Sequence, residues 1–477
     1  MEQQPITRDW LQRHSELKTI TAEDNPNYWN ADPQCLTTNS NIHTLKFGTG
    51  SSLYESSILP AIATAESEVV LVTCFWARSR TLDALNDTLL QLSAKAIKTG
   101  NKIRIRICFS SLSLFQKLFH TTSLQGRTYA PSEWQRTLGL PSAEEMAGLD
   151  LEVKSIFIRP FSVMHPKFVL IDRKRMFLPS CNVSWEDWFE GCVELKGPVV
   201  GQFVRFWKDF WAGGRDQYAG FTEGCRAEND LVQHNSTSGA PVSPSSTTND
   251  LDADVQSIFL PSPHHRNPRF ALLPWRPCPP PPPTPLNTFI LAALANAQHS
   301  IYIQTPNLTC PPVLSALLVA LGRGVNIEIL TSERLMILEQ LGTAGTTTKR
   351  CVKKLTKRHR RLVAEYKARV REDADPVLLE SGELGLREPG RMTVHYYRAD
   401  PSGAGIAGSA EPVQSHLKLT ILDGEVTVLG SGNMDRASWF TSQELGVAFF
   451  SREFAAYVKS ELDPLMVGRR KCVYDAR

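Results

Sequence analysis

A chain of 477 residues with 42% hydrophobic content is long enough for two or three domain-sized units and apolar enough for real cores, which excludes a disordered or fibrous protein. Its formal net charge of +3 excludes a strongly polycationic or polyanionic character overall. No apolar run is long enough to span a bilayer, the leading MEQQPITRDW lacks a signal peptide's apolar stretch, and ten cysteines without a C-x-x-C pair read as reduced core thiols, so a cytoplasmic, soluble protein is the expectation.

In chain order, residues 1–39 read as a polar, peripheral extension. The pattern over 69–76 predicts a strand, 82–98 a helix stopped at Gly100, and 102–109 a second strand. A strand over 151–157 precedes His165-x-Lys167-x4-Asp172, whose apolar run 168–171 reads as a buried strand with His165 and Lys167 on one face. A short strand over 175–178 leads to Ser180-x-Asn182, and Trp188-Phe189 follows. Residues 226–268 read as a linker. Within it, 233–254 has almost no bulky apolar side chains to offset the entropy of ordering and is expected to be disordered. The proline-rich stretch 277–285 reads as a stiff spacer in preference to an SH3-type ligand.

The order then repeats. A strand over 300–307, a helix over 313–321 with a stop at Gly324, and strands over 325–331 and 393–398 lead to His416-x-Lys418-x4-Asp423. Apolar residues 419–422, a strand over 426–429, Ser431-x-Asn433 and Trp439-Phe440 complete the second copy. Glu194 and Glu444 read as near-equivalents, with a one-residue slip. An insertion at about 345–375 breaks the second copy: residues 349–371 hold eleven Lys or Arg and one acid, Glu365. Val352, Leu355, His359, Leu362, Tyr366 and Val370 recur there at helical spacing, which predicts an amphipathic basic helix. Three accounts of it stay open: an apolar face docked on the second copy, contact with anionic lipid headgroups, or a grip on a nucleic-acid backbone.

A lone H-x-K-x4-D arises by accident too easily to carry weight, and a lone histidine on a strand is more commonly a satisfied core residue than a catalyst. Two copies with the same downstream Ser-x-Asn overturn both objections. The second, HLKLTILDGEVTVLGSGN, fits H-x-K-x4-D-x6-G-S-x-N throughout; the first, HPKFVLIDRKRMFLPSCN, has Pro179 where the glycine is usual. On these motifs the chain resembles the phospholipase D superfamily over roughly 40–225 and 269–460. Pro179 fixes φ and removes an N–H at the turn before Ser180, which bears on a phosphate contact there and not on His165 or Lys167.

The resemblance implies an α/β fold: two tandem α/β sandwich halves, 40–225 and 269–477, with mostly parallel central sheets, related by a pseudo-twofold axis that brings both motifs to one cleft. It implies a phosphodiesterase that hydrolyses or transphosphatidylates phospholipids through a covalent phosphohistidine, with no metal or other cofactor. His165 is expected to attack phosphorus, and His416 to protonate the leaving oxygen and then activate water or an alcohol. Lys167, Lys418, Asn182 and Asn433 are expected to hold the phosphoryl oxygens, assisted by Ser180 and Ser431. Asp172 and Asp423 end their strands and are expected to support the site by hydrogen bonds.

The residue types suit the chemistry, since imidazole works as base or acid near neutral pH and two are needed at once, one neutral and one protonated. Lysine supplies lasting positive charge where the transition state gathers negative charge. Trp185, Trp188, Trp439 and Phe440 could line a lipid-binding pocket, but aromatics just after a strand are more often core, and they are read as core. The expected partners are a phospholipid substrate and an anionic membrane touched through 349–371, with nucleic acid less favoured. A monomer is expected because one chain carries both motifs. A nuclease, a cardiolipin synthase-like phosphatidyltransferase and an inactive phosphate-binding scaffold stay as alternatives.

Overall fold

The computed structural model describes residues 5–17, 33–113, 120, 123, 125–159, 162–184, 187–212, 254–262, 280–372, 387–403, 405–406 and 409–476. Trp185, most of the stretch expected to be disordered and the start of the proline-rich spacer lie outside them.

The main strands among the described residues are β1 (Thr37–Thr49), β2 (Glu68–Phe75), β3 (Ile103–Ser111), β4 (Leu149–Ser155), β5 (Phe168–Ile171), β6 (Arg175–Pro179), β7 (Trp188–Lys196), β8 (Asp254–Ser262), β9 (Ser300–Thr305), β10 (Asn326–Thr331), β11 (Met392–Tyr397), β12 (Leu419–Leu422), β13 (Val426–Gly430), β14 (Glu444–Phe450) and β15 (Arg470–Ala476). They form one continuous sheet in the order β4-β3-β2-β5-β6-β7-β1-β8-β14-β13-β12-β9-β10-β11-β15. The antiparallel pair β1–β8 lies in the middle, and the strands on either side follow the same sequence of pairings.

The sheet is mixed, which corrects the expectation of mostly parallel sheets. Parallel pairing is confined, among these strands, to β2-β3-β4 and β9-β10-β11. Those pairs need crossovers, supplied after β2 by helix α2 (Arg80–Thr99) and after β9 by α5 (Pro311–Gly322). Ser79 caps α2 by accepting from the Leu82 N–H, and Gly100 closes it at φ +73°. Each motif strand instead turns straight back on itself, and a hairpin is antiparallel by construction.

Those hairpins explain the motif aspartates. Asp172 and Arg173 (φ 51° and 54°) and Asp423 and Gly424 (φ 52° and 65°) take the paired positive φ of a type I′ turn, closed by Lys174 N–H to Ile171 O and Glu425 N–H to Leu422 O. The Asp172 carboxylate accepts from the backbone N–H groups of Glu66, Ser67 and Glu68, and Asp423 accepts from those of Gln298, His299 and Ser300. Both therefore pin the start of a neighbouring strand, at the end of the motif strand remote from its histidine. Alanine at either is expected to cost about 1–3 kcal/mol of stability in chemical denaturation while activity per folded molecule holds. Burial pushes the Asp172 carboxyl up, but those backbone donors outweigh it and leave it below its ordinary value. Its contribution is thus present above an unfolded pKa of about 3.9 and lost as pH falls through the lower folded value.

Two boundaries differ from expectation. Residues 254–262, expected within the linker, form β8 at the sheet centre, because Val255, Ile258, Phe259 and Leu260 are buried there. The extension before residue 40 is not peripheral in its described part. Helix α1 (Pro5–Leu17) buries Trp10 completely, with its indole N–H on Thr288 Oγ1 at 3.1 Å and its ring edge-on to Phe289 of helix α4 (Pro285–Asn296).

The longer helices of the fold also include α3 (Val199–Phe210), α6 (Ile337–Ala344), α7 (Thr348–Glu372) and α8 (Arg452–Met466). The basic stretch is α7, and its Val352, Leu355 and His359 are buried as the spacing predicts. No described helix is long and apolar enough to cross a membrane.

Candidate active site

His165 and Lys167 precede β5, and His416 and Lys418 precede β12. Their backbones are stitched to strands from the opposite end of the chain. The His165 N–H donates to Gln443 O at 3.0 Å, just before β14, and the Gln443 N–H donates to Val163 O at 2.8 Å. In the same manner the His416 N–H donates to Phe189 O at 2.9 Å, and Gln414–Ser415 runs parallel to the start of β7. This crossing brings both histidines into one cavity of about 320 Å³, lined also by Asn182, Asn433, Asp435 and Glu444.

Each imidazole is held through Nδ1 by a buried carboxylate on the strand it crosses: His165 by Glu444 Oε2 and His416 by Glu190 Oε1, both at 2.8 Å. The tautomer follows, since a carboxylate accepts only, so Nδ1 carries the proton and Nε2 the lone pair. His165 is part of the cavity wall, and its Nε2 has no hydrogen-bond partner among the described residues. Nε2 of His416 accepts from Lys418 Nζ at 2.9 Å, and the His416 ring lies 5.0 Å from that of Trp188. The side chain of His165 is 15% exposed and that of His416 only 4%, so His165 is the more open of the two.

Serine and lysine complete the frame. Ser431 Oγ donates to Glu444 Oε2 at 2.5 Å and accepts from Leu445 N–H at 3.0 Å; Ser180 Oγ donates to Glu190 Oε2 and accepts from Gly191 N–H at 3.0 Å. The two serines, expected beside phosphate, thus spend their hydroxyls fixing the carboxylates. Their own N–H groups make matching bonds, to Gly191 O and Leu445 O at 2.8 Å each, so Pro179 leaves the turn intact. At Gly430 a Cβ would fall 2.3 Å from Leu445 O, a crowding peculiar to that copy. Lys167 and Lys418 are buried and donate to the carbonyl oxygens of His165 and His416, at 2.8 and 2.6 Å.

Asn182 Oδ1 takes Thr73 Oγ1 and the N–H groups of Cys74 and Phe75, which leaves its NH2 for the cavity. Asn433 donates to Asp435 Oδ2 at 3.3 Å, and its Oδ1 is buried without a partner. Asp172 and Asp423 take no part in the cavity.

Burial sets the charges. It pushes His165 down to about 4 and His416 to about 3, against the pull of Glu444 and Glu190, so both imidazoles are neutral near pH 7. Burial also pushes Lys418 down to about 7. The same burial pushes Glu190 and Glu444 up, but the facing imidazoles, the lysines and the serine hydroxyls outweigh it and keep both carboxylates ionised. Burial raises Asp435 above its ordinary value. Two carboxylates and two lysines in one enclosed frame are costly to hold for stability alone.

Several of these groups escape sequence reasoning. Glu190 does so because it lies eight residues past Asn182 while Glu444 lies eleven past Asn433, so a near-constant offset lands on Glu194, whose carboxylate pairs with Arg175 at 2.7 Å instead. Strand register is the signal that works. The residue before each Ser faces Cys192 or Gly446, and the carboxylate stands two residues earlier in both cases. Trp188, read as core, packs on His416, whereas Trp439 and Phe440 are buried as expected. Met336 and Glu339, from the start of α6, form part of the cavity wall.

Residues 290–466 match the family described as "Cardiolipin synthase, PLD-like domain". No curated protein matches the chain. Among solved structures it is similar to phosphatidylserine synthase from Haemophilus influenzae Rd KW20, at 14% identity over 97% of this chain and 92% of that one, with a TM-score of 0.51. It also aligns with Nuc, a phospholipase D family member from Salmonella typhimurium, at 18% identity over 40% of this chain and 91% of that one, with a TM-score of 0.26. A third alignment is to polyphosphate kinase from Porphyromonas gingivalis, at 10% identity over 87% and 46%, with a TM-score of 0.42.

Proposed function

The chain belongs to the phospholipase D superfamily, and from that premise we propose that it is a phospholipid phosphodiesterase that passes a phosphatidyl group through a covalent phosphohistidine to water or an alcohol, without a metal ion. The observation that carries this reading is the reciprocal pairing around one cavity, Glu444 on His165 and Glu190 on His416, with Nε2 of His165 open to the cleft. A histidine kept only for packing has no use for such an arrangement. The choice of a lipid rests on the family description and on the name of the solved protein of like fold, both of which concern phospholipid synthases.

His165 Nε2 attacks phosphorus, and the bond to the headgroup oxygen breaks with its electron pair leaving on oxygen. That oxygen takes a proton from His416. The negative phosphodiester supplies the charge that draws a proton onto His416, and Lys418, bonded to its Nε2, is the nearest donor. In the second step His416 takes a proton from water or an alcohol, whose oxygen attacks phosphorus and frees His165, and that proton returns to Lys418 through the same hydrogen bond. The NH2 of Asn182, together with Asn433, Lys167 and Lys418, holds the phosphoryl oxygens, while Ser180 and Ser431 position Glu190 and Glu444. The chain works as a monomer of two equivalent halves, the second beginning at β8 instead of at residue 269.

kcat/KM is expected to rise through about pH 4, as His165 becomes neutral, and to fall above about pH 7, where the Lys418–His416 pair gives up its shared proton. A profile flat from pH 5 to 9 would remove that pair from the chemistry. The reading itself is tested by offering the purified chain, in EDTA, phosphatidylcholine vesicles with and without glycerol, phosphatidylglycerol vesicles as cardiolipin precursor, and single-stranded DNA. Headgroup release or a new phospholipid supports it; shortened DNA with untouched lipid overturns it.

A further inference from the structure

Helix α6 stands at the mouth of the cleft and turns its apolar side outward. Met336 and Glu339 line the cavity that holds both histidines, and Gln340 and Thr343 are buried. Leu338, by contrast, is 86% exposed, Leu341 41% and Ile337 37%. Three large apolar side chains on two turns of one helix, next to an active-site mouth, make a contiguous patch of the kind that marks an interaction surface. The helix is also presented deliberately. Met336 starts it at φ +54°, a strained conformation for a side chain of this size, and Gln340 anchors it through its Oε1, which accepts from the Thr348 N–H at 2.6 Å.

The charge beside this patch selects its partner. Only residues 345–347 separate α6 from α7, whose Lys349, Arg350, Lys353, Lys354, Lys357 and Arg358 are all exposed. Of these, Lys349 pairs with Glu333 at 2.7 Å, and the first acid within α7 is Glu365. An exposed apolar helix flanked by a cationic one is complementary to a bilayer that carries anionic headgroups: hydrocarbon accepts the leucines and phosphates accept the lysines.

We propose that α6 inserts Ile337, Leu338 and Leu341 into the surface of an anionic membrane while the first half of α7 lies on its headgroups, so that the cleft opens directly onto the lipid interface. This rests on the lipid reading of the cleft. It assigns to α6 the apolar contact and leaves to α7 the electrostatic one.

The test separates docking from turnover. Wild-type chain, Leu338→Asp, the double variant I337D/L338D and the pair K354Q/K357Q are sedimented with vesicles of phosphatidylcholine alone and of phosphatidylcholine mixed with phosphatidylglycerol. The expected result is association of the wild type with the mixed vesicles, weakened about tenfold or more by the aspartates and made less salt-sensitive by the glutamines. Turnover of a short-chain, water-soluble phospholipid by L338D is expected to stay at the wild-type level while turnover on vesicles falls. Because Leu338 is exposed, circular dichroism of the variant should match the wild type.

Vesicle association unchanged by I337D/L338D overturns the proposal, as does wild-type chain that ignores mixed vesicles. Two other outcomes overturn it equally: a dimer in sedimentation that L338D abolishes without any effect on vesicles, and binding to an oligonucleotide in preference to vesicles. If vesicles are bound as expected but neither lipid is turned over, the docking surface stands and the lipid reading of the cleft falls.

Discussion

Alanine at His165 is expected to lower turnover by about four orders of magnitude, and alanine at His416 by a comparable factor, with circular dichroism unchanged. The two variants differ in where they stop. Without His165 no bond to phosphorus forms. Without His416 the first step lacks its proton, but a substrate with a p-nitrophenolate leaving group needs none. His416→Ala is therefore expected to release one equivalent of nitrophenol and stall with the phosphoryl group on His165, visible by mass spectrometry as an acid-labile adduct. The open Nε2 of His165 and the lysine-bonded Nε2 of His416 set this order of roles. Near-normal turnover in both single variants, or an adduct on His416 in place of His165, would end the assignment.

Glu444→Gln should be nearly as damaging, although Glu444 need not touch the substrate. A carboxylate only accepts, so it keeps the proton of His165 on Nδ1 and the lone pair on Nε2. An amide of the same shape offers an NH2 in its place and stabilises the tautomer with Nε2 protonated, which cannot attack. A loss of about 10²–10⁴ in kcat with KM little changed is expected, as for other carboxylates that orient a catalytic imidazole. Glu190→Gln should act likewise on His416, and also weaken the shared proton with Lys418, which shifts the alkaline limb of the pH profile. Full activity in both glutamine variants would show that the reciprocal pairing is structural only.

The motif residues were legible because each is a local pattern. An apolar run of four after His-x-Lys makes a short strand, and Asp172 and Asp423 open turns with positive φ, which aspartate tolerates better than most residues. The duplication was legible for the same reason. The aspartates also show the limit of such reading, because a pattern shared with a catalytic motif does not reveal which end of the strand a side chain serves.

What lay beyond the sequence was everything decided by register between distant strands. Residues 254–262 join the sheet centre only because β1 and β14 offer them two partners. Glu190 reaches His416 across 226 residues, and Glu444 reaches His165 across 279, through pairings that no offset in the chain encodes. The residues capable of the chemistry, and their occurrence in two sets, are properties of the sequence itself. Which carboxylate orients which imidazole, and the burial that makes both imidazoles neutral, belong to the tertiary structure alone, since pKa and tautomer depend on what packs around a group and not on its neighbours in the chain.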